Sequence, residues 1–358
     1  MQPNPKSKIA LIIGLTAVVI GITLLSLRLP GASLFMIAGL IVAAIAFRGM
    51  GIFRGFSYTT WIFAAVTVSM FYPEYFTSIG GLNTKTLIPP LLQLIMFGVG
   101  STMGLKDFEG VIKMPKPVLI GIVCQFTIMP LIGWGIARTF NFPNEIAAGI
   151  ILVGCVPSGL ASNVMSYIAN ANVALSVTLT AVATLMAPIV TPLLMQAIAG
   201  AYIDISFYNM MMDIIKIVII PIGVGLVFNR FLGGKFAWLD KSMPVVSMVS
   251  IGAIITIITA AGRDSLLEVG ILLVVACLLH NLLGYTLGYY SCKILGMDEK
   301  SCRTIALEVG LQNAGLASGL AINMGKVAVG LAPAIFGPLM NITGSSLASW
   351  WHNKPPKS

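Results

Sequence analysis

The chain has 358 residues, of which 57% are hydrophobic and only 9% charged, where soluble domains carry about 25% charged residues. Its 21 basic and 12 acidic side chains cannot cover a soluble globule of this size, and the mean hydropathy is +0.96; a soluble enzyme, a disordered chain and a nucleic-acid binder are excluded together. The net charge of +9 arises without any run of Lys and Arg, so it reads as membrane topology and not as a basic patch.

Charge-free runs predict the elements in order: 9–27, 29–47, 55–73, 86–105, 117–137, 146–203, 217–229, 242–262, 269–292, 309–325 and 327–353. Most suit the roughly 20 residues that cross a bilayer core as helix. The long run holds two spans that turn at the polar stretch 169–172, and the short run extends backwards through 210–212, giving twelve helices. Continuous apolar runs argue against a β-barrel, whose segments are short and alternating. Lys6 and Lys8 precede the first span, as in a signal peptide. Its apolar stretch is long for that role and a second span follows at once, so an uncleaved helix is expected. Cys124, Cys155, Cys277, Cys292 and Cys302 lie in or beside spans without CxxC spacing, which suits small apolar filler.

With the N-terminus placed in the cytoplasm, fifteen basic residues (6, 8, 48, 54, 106, 113, 116, 230, 235, 241, 293, 300, 303, 354 and 357) fall on the inner side and five (28, 85, 138, 263 and 326) on the outer. This follows the positive-inside rule and puts both termini in the cytoplasm. The string Gly159-Leu160-Ala161-Ser162 recurs as Gly315-Leu316-Ala317-Ser318, and the same offset of 156 carries Gln125 onto Asn281 and the span start near 55 onto that near 210. Five helices separate those two starts. An odd number turns the second copy upside down, which is an inverted repeat of the kind secondary transporters use. The first two spans lie outside it.

Two spans carry breaks. Residues 154–159 read Gly-Cys-Val-Pro-Ser-Gly, and 308–315 hold Glu308, Gly310, Gln312, Asn313 and Gly315. Proline removes a helical hydrogen bond and glycine frees the backbone, and such a break at membrane depth belongs where the chain lines an enclosed cavity. Glu308 has no evident basic partner in a neighbouring span, so a bound cation is a natural one. Gln125, Ser162 and Asn163 offer oxygen ligands for a hard cation; Ser176 and Thr180, one turn apart, share a helix face. No paired histidines or thiolates favour zinc or copper. Asp213 and Lys216 suit an interfacial pair, His280 a hydrogen-bonded packing role, and Trp350 and Trp351 an interface anchor.

Residues 154–163 (Gly-Cys-Val-Pro-Ser-Gly-Leu-Ala-Ser-Asn), 172–176 (Asn-Val-Ala-Leu-Ser), 125–130 (Gln-Phe-Thr-Ile-Met-Pro) and 308–316 (Glu-Val-Gly-Leu-Gln-Asn-Ala-Gly-Leu) resemble the bile acid:sodium symporter family over roughly 55–350. The resemblance implies an all-α polytopic membrane protein of two five-helix inverted repeats, forming core and panel domains with two crossing broken helices, here with two extra N-terminal helices. The corresponding divisions are 1–54 for the extra helices, 55–106 and 203–263 for the panel, and 107–202 and 264–358 for the core. The resemblance also implies two sodium ions, one at Ser162, Asn163, Ser176, Thr180 and Glu308, the other at Gln125, Glu308, the carbonyls of Val309 and Leu311, and Gln312. An organic anion is implied near the crossing, with Asn313 and Asn341 as donors and Leu160 nearby. Relatives often place threonine at the position of Leu160, and close bacterial relatives have histidine where Met340 precedes Asn341, so bile acid itself is not implied.

The expected function is sodium-coupled symport of an organic anion by elevator-like alternating access, with no enzymatic activity and no organic cofactor, in a membrane read as the bacterial inner membrane. A proton-coupled carrier, in which Glu308 titrates, is the nearest alternative, and a channel is another. An intramembrane serine hydrolase on Ser158 would need His280 as its base and lacks the GxSxG elbow.

Overall fold

The computed structural model describes residues 5–50, 56–104, 109–232 and 237–354. Arg54, Lys106, Lys235 and Lys357 of the orientation count, and the expected divisions at 54 and 106, lie outside them. The chain forms two compact units, one of residues 1–85 and 252–263, the other of 86–251 and 264–358.

The first unit begins with α1 (Pro5–Ser26), α2 (Ala32–Arg48) and α3 (Phe56–Phe71). α1 and α2 form a hairpin whose seam sets Gly14 against Gly39 and Ala43, and Gly21 against Ala32 and Met36, while Ile12, Val19 and Leu34 point outward. Small seams let helix backbones approach closely, which is how helices associate where apolar burial gives no advantage over lipid. The short α4 (Glu74–Thr77) leads into an antiparallel pair, β1 (Ser78–Ile79) with β2 (Leu82–Asn83). Gly80 and Gly81 turn it at φ of 58° and 85°, the left-handed pair that a two-residue hairpin requires. The all-α expectation omits this element, which lies in the polar gap between two apolar runs. Within the same unit, Arg263 Nε donates to Met70 O at 2.6 Å.

The second unit contains α5 (Ile88–Thr102), α6 (Glu109–Lys113), α7 (Pro115–Phe140), α8 (Asn144–Cys155), α9 (Ala161–Ile168), α10 (Val173–Leu194), α11 (Phe207–Ile214) and α12 (Ile220–Leu232). α13 (Ala237–Ala261), whose residues from 252 belong to the first unit, and α14 (Arg263–Ile294), which joins the second unit from 264, follow, then α15 (Glu299–Gly310), α16 (Ala314–Asn323) and α17 (Leu331–His352). The turn expected at 169–172 is present: Asn170 is left-handed at φ 52° and Asn172 caps α10 by accepting from Leu175 N.

Among the described residues, seven helices are long and apolar enough to cross a membrane, and four apolar helices of 10–17 residues accompany them. The spans expected at 146–169 and 304–325 are missing from the long set because each is interrupted. Val156–Leu160 is non-helical between α8 and α9, and 311–313 between α15 and α16. The half-helices that lead into the breaks, α8 and α15, are each 12 residues long and run through the interior, with every residue buried from Ile146 to Cys155 and from Ser301 to Gly310.

Arg303 is itself buried in α15. Its guanidinium pairs with Glu299 at 2.8 Å, donates to the carbonyls of Ala169, Trp351 and Lys354, and lies over the Trp351 ring. It thereby closes the C-terminal ends of α9 and α17 onto α15, where helix dipoles favour a cation. His280 Nε2 donates to Met129 O at 2.9 Å and packs on Phe336, as its reading as a packing residue required. All five cysteines are free and buried.

Candidate functional site

The two interruptions meet. Ser158 and Gln312 form an antiparallel bridge, in which Gly159 N donates to Leu311 O and Asn313 N to Pro157 O, each at 2.9 Å. A broken helix leaves carbonyls that must find donors when buried, and here three on each side have one. On the α8 side, Cys155 O accepts from Thr191 Oγ1, Val156 O from Gln125 Nε2 and Pro157 O from Asn313 N. On the α15 side, Val309 O accepts from Gln312 Nε2, Gly310 O from Asn281 Nδ2 and Leu311 O from Gly159 N. Gln125 and Asn281, the amides that the 156-residue offset relates, thus each bind a carbonyl where the following half-helix ends, Val156 O just past α8 and Gly310 O at the end of α15.

Glu308 lies in the last turn of α15, 2% exposed. One carboxylate oxygen, Oε2, accepts from Ser158 Oγ at 2.5 Å and Thr180 Oγ1 at 3.0 Å; the other, Oε1, accepts from Ser176 Oγ at 2.5 Å. Asn163 Oδ1 lies 2.8 Å from Ser176 Oγ and 3.3 Å from Thr180 Oγ1, and Ser162 Oγ lies 3.3 Å from Thr180 Oγ1. α9, α10, α15 and the first interruption therefore direct six oxygen-bearing side chains at one point. No basic group reaches Glu308 within ion-pair distance among the described residues, Arg303 being engaged elsewhere.

Ser162 donates to Gly159 O, which leaves three hydroxyl protons, those of Ser158, Ser176 and Thr180, for two carboxylate oxygens and the Asn163 carbonyl. Each carboxylate oxygen has about two lone pairs. With Glu308 ionised, the cluster is short of protons, carries a negative charge, and sits at a helix C-terminus where the dipole is also negative. Dipole, charge and oxygen set all favour a hard cation.

A second group adjoins it. Gln312 Nε2 donates to Val309 O, which turns Gln312 Oε1 towards Gln125 Nε2 at 2.8 Å. Gln125 Nε2 also binds Val156 O, so both donors of that amide point away from its oxygen. Gln125 Oε1 is buried and has no hydrogen-bond partner, and a buried acceptor left unpaired costs about 1–3 kcal/mol unless something occupies it.

All five residues of the first sodium set come together. Of the second set, Gln125, Gln312 and the Val309 carbonyl adjoin, Leu311 O is engaged by Gly159 N, and the Glu308 carboxylate turns to the hydroxyl cluster. Among the substrate candidates, Asn313 Oδ1 caps α16 through Leu316 N, Asn341 Nδ2 donates within its own helix to Gly337 O, and Leu160 is 41% exposed. Ser158 is absent from the expected cation sets and enters the sequence reading only as a hydrolase nucleophile. The structure places its hydroxyl on Glu308, while His280 binds Met129 O. The signal for it was its place in the Pro-Ser-Gly break, which fixes its backbone but says nothing of what lies across from it.

A polytopic helical protein whose two interrupted helices join beside a buried, unneutralised carboxylate has the construction of a membrane transporter. Residues 89–269 match the sodium bile acid symporter family. A sodium-dependent transporter of Bacillus subtilis, YocS, is 38% identical over 310 residues, 87% of this chain and 95% of the relative. The probable chloroplastic sodium/metabolite cotransporter BASS1 of Arabidopsis thaliana is 36% identical over 74% of this chain and 67% of its own length. The ileal sodium/bile acid cotransporter of Oryctolagus cuniculus is 30% identical over 68% and 71% respectively. The chain belongs to the sodium bile acid symporter family, and is an integral membrane transporter and not an enzyme.

Proposed function

We propose that the protein couples the entry of sodium to that of a small organic anion. The observation that carries this is the Glu308 carboxylate, buried without a basic partner and ringed by hydroxyl and amide oxygens. Ser162, Asn163, Ser176, Thr180 and Glu308 form the first sodium site in this reading. Gln125 Oε1, Gln312 and the carbonyls of Val309 and Leu311 supply the second, shared with Glu308. The organic anion occupies the region of the two interruptions, where the N-termini of α9 and α16 offer amides and Asn313 has an uncommitted Nδ2. The inverted repeat is supported by the matched 12-residue half-helices and by the parallel roles of Gln125 and Asn281. Movement of core against panel, with both termini in the cytoplasm of a bacterial inner membrane, completes the reading.

With two sodium ions and a monovalent anion, each cycle moves net positive charge inward, and each charge contributes about 2.3 kcal/mol per 100 mV of potential. The test is melting of the purified chain in detergent, with sodium chloride titrated against choline chloride at constant ionic strength, followed by uptake of organic anions into proteoliposomes. Sodium-specific stabilisation and sodium-driven uptake are expected. Stabilisation that follows pH but not sodium would replace sodium with protons, and uptake undiminished without sodium would remove the coupling.

A further inference from the structure

Ser158 is held from two sides. Its backbone lies in the bridge with Gln312, flanked by the hydrogen bonds that join the two interruptions, and its side chain is 2% exposed. Its hydroxyl reaches Glu308 Oε2 at 2.5 Å and lies 3.5 Å from Thr180 Oγ1. Ser176 Oγ reaches the other carboxylate oxygen at the same 2.5 Å. The carboxylate is thus gripped by one serine at each oxygen, one from α10 and one from the interruption itself. A hydroxyl has one proton and two lone pairs. Donation to Glu308 therefore leaves the Ser158 oxygen free to face a cation held in the same cluster.

We propose that Ser158 is a further oxygen of the cation site and the member that ties it to the paired interruption. The inference rests on the reading of this cluster as a sodium site. The other five side chains of the cluster come from α9, α10 and α15; Ser158 alone belongs to the bridged strand-like segment whose neighbours bond Leu311 and Asn313. A cation drawing on its hydroxyl therefore bears on the geometry of the interruptions as well as on the carboxylate.

The experiment is a sodium titration of the purified full-length chain by thermal shift, comparing wild type, Ser158→Ala and Ser158→Cys. Alanine removes the oxygen; cysteine keeps nearly the same volume but offers sulfur, a poor ligand for a hard cation. Both variants lose a hydrogen bond to the carboxylate and are expected to melt lower without sodium; both are expected to raise the half-saturating sodium concentration about tenfold, equivalent to ~1.4 kcal/mol. A wild-type sodium midpoint in either variant overturns the assignment. If the wild type itself does not respond to sodium, the cation reading of the whole cluster fails before Ser158 is judged. Should Ser158→Ala not fold, Ser158→Cys decides by itself.

Discussion

Replacing Glu308 with glutamine removes one charge and almost no volume. The wild-type carboxylate accepts from Ser158, Ser176 and Thr180 at 2.5, 2.5 and 3.0 Å. Hydrogen bonds to a charged group contribute about 1.5–3 kcal/mol each, against about 0.5–1.5 for neutral ones, so the substitution forfeits a few kcal/mol of attraction. It also relieves the cost of burying an unpaired charge, which is of the same order. The sodium-free protein should therefore melt close to wild type. Sodium separates the two. A ligand at about a hundredfold its Kd adds ~2.7 kcal/mol to the folded state, a rise on the order of 5 °C, and Glu308→Gln should show none of it. Differential scanning fluorimetry with sodium exchanged for choline reads both quantities. A full wild-type sodium shift in Glu308→Gln would refute the idea that this carboxylate is where the cation is held.

Gln125→Leu removes an unpaired acceptor but orphans Val156 O and Gln312 Oε1; it should lower sodium-free stability by about 1–3 kcal/mol and flatten a two-ion sodium response to a one-ion curve in uptake. Gly154→Leu should abolish stable expression, because a Cβ there sits 2.4 Å from Met129 O, whereas Gly135→Leu, which meets nothing within 4 Å, should express as wild type; fluorescence size-exclusion chromatography compares them. Asp298 caps α15 through Ser301 N at 3.0 Å, and its loss to alanine should cost ~1 kcal/mol. Burial pushes the Asp298 carboxyl up, but the hydrogen bonds from Ser301 together with those from the Lys300 and Asp298 backbone outweigh it and hold the group below its ordinary value. A depressed carboxyl stabilises the fold above the unfolded value of about 3.9. The gap between wild type and Asp298→Ala should therefore stay constant above that pH and close as pH falls through the lower folded value; equal gaps at both ends would contradict the capping account.

Much of this architecture was legible in one dimension. Apolar runs without charge can only be buried in lipid or protein, so the spans and their turns followed, including the one at Asn170. The two breaks announced themselves because Pro157 and the clustered glycines and amides conflict with an intact helix. Glu308 stood out because a carboxylate among apolar residues demands a partner. The β1–β2 hairpin was not legible, since its four paired residues are too few for an alternating pattern to show. The partners of Arg303 were equally hidden. Glu299 is one turn away, but the carbonyls of Ala169, Trp351 and Lys354 are brought to it by folding.

The sequence by itself determined the medium, the helices, the breaks in two of them and the one carboxylate that required explanation. These are consequences of composition and of local backbone chemistry, which each segment carries wherever it lies. Only the tertiary structure decided that the breaks pair with each other, that three hydroxyls and not a basic side chain surround Glu308, that Gln125 is left with a buried oxygen to spare, and that Ser158 grips the carboxylate. Those depend on which atoms from residues more than a hundred positions apart come within hydrogen-bond reach, and distance along the chain does not encode distance in space.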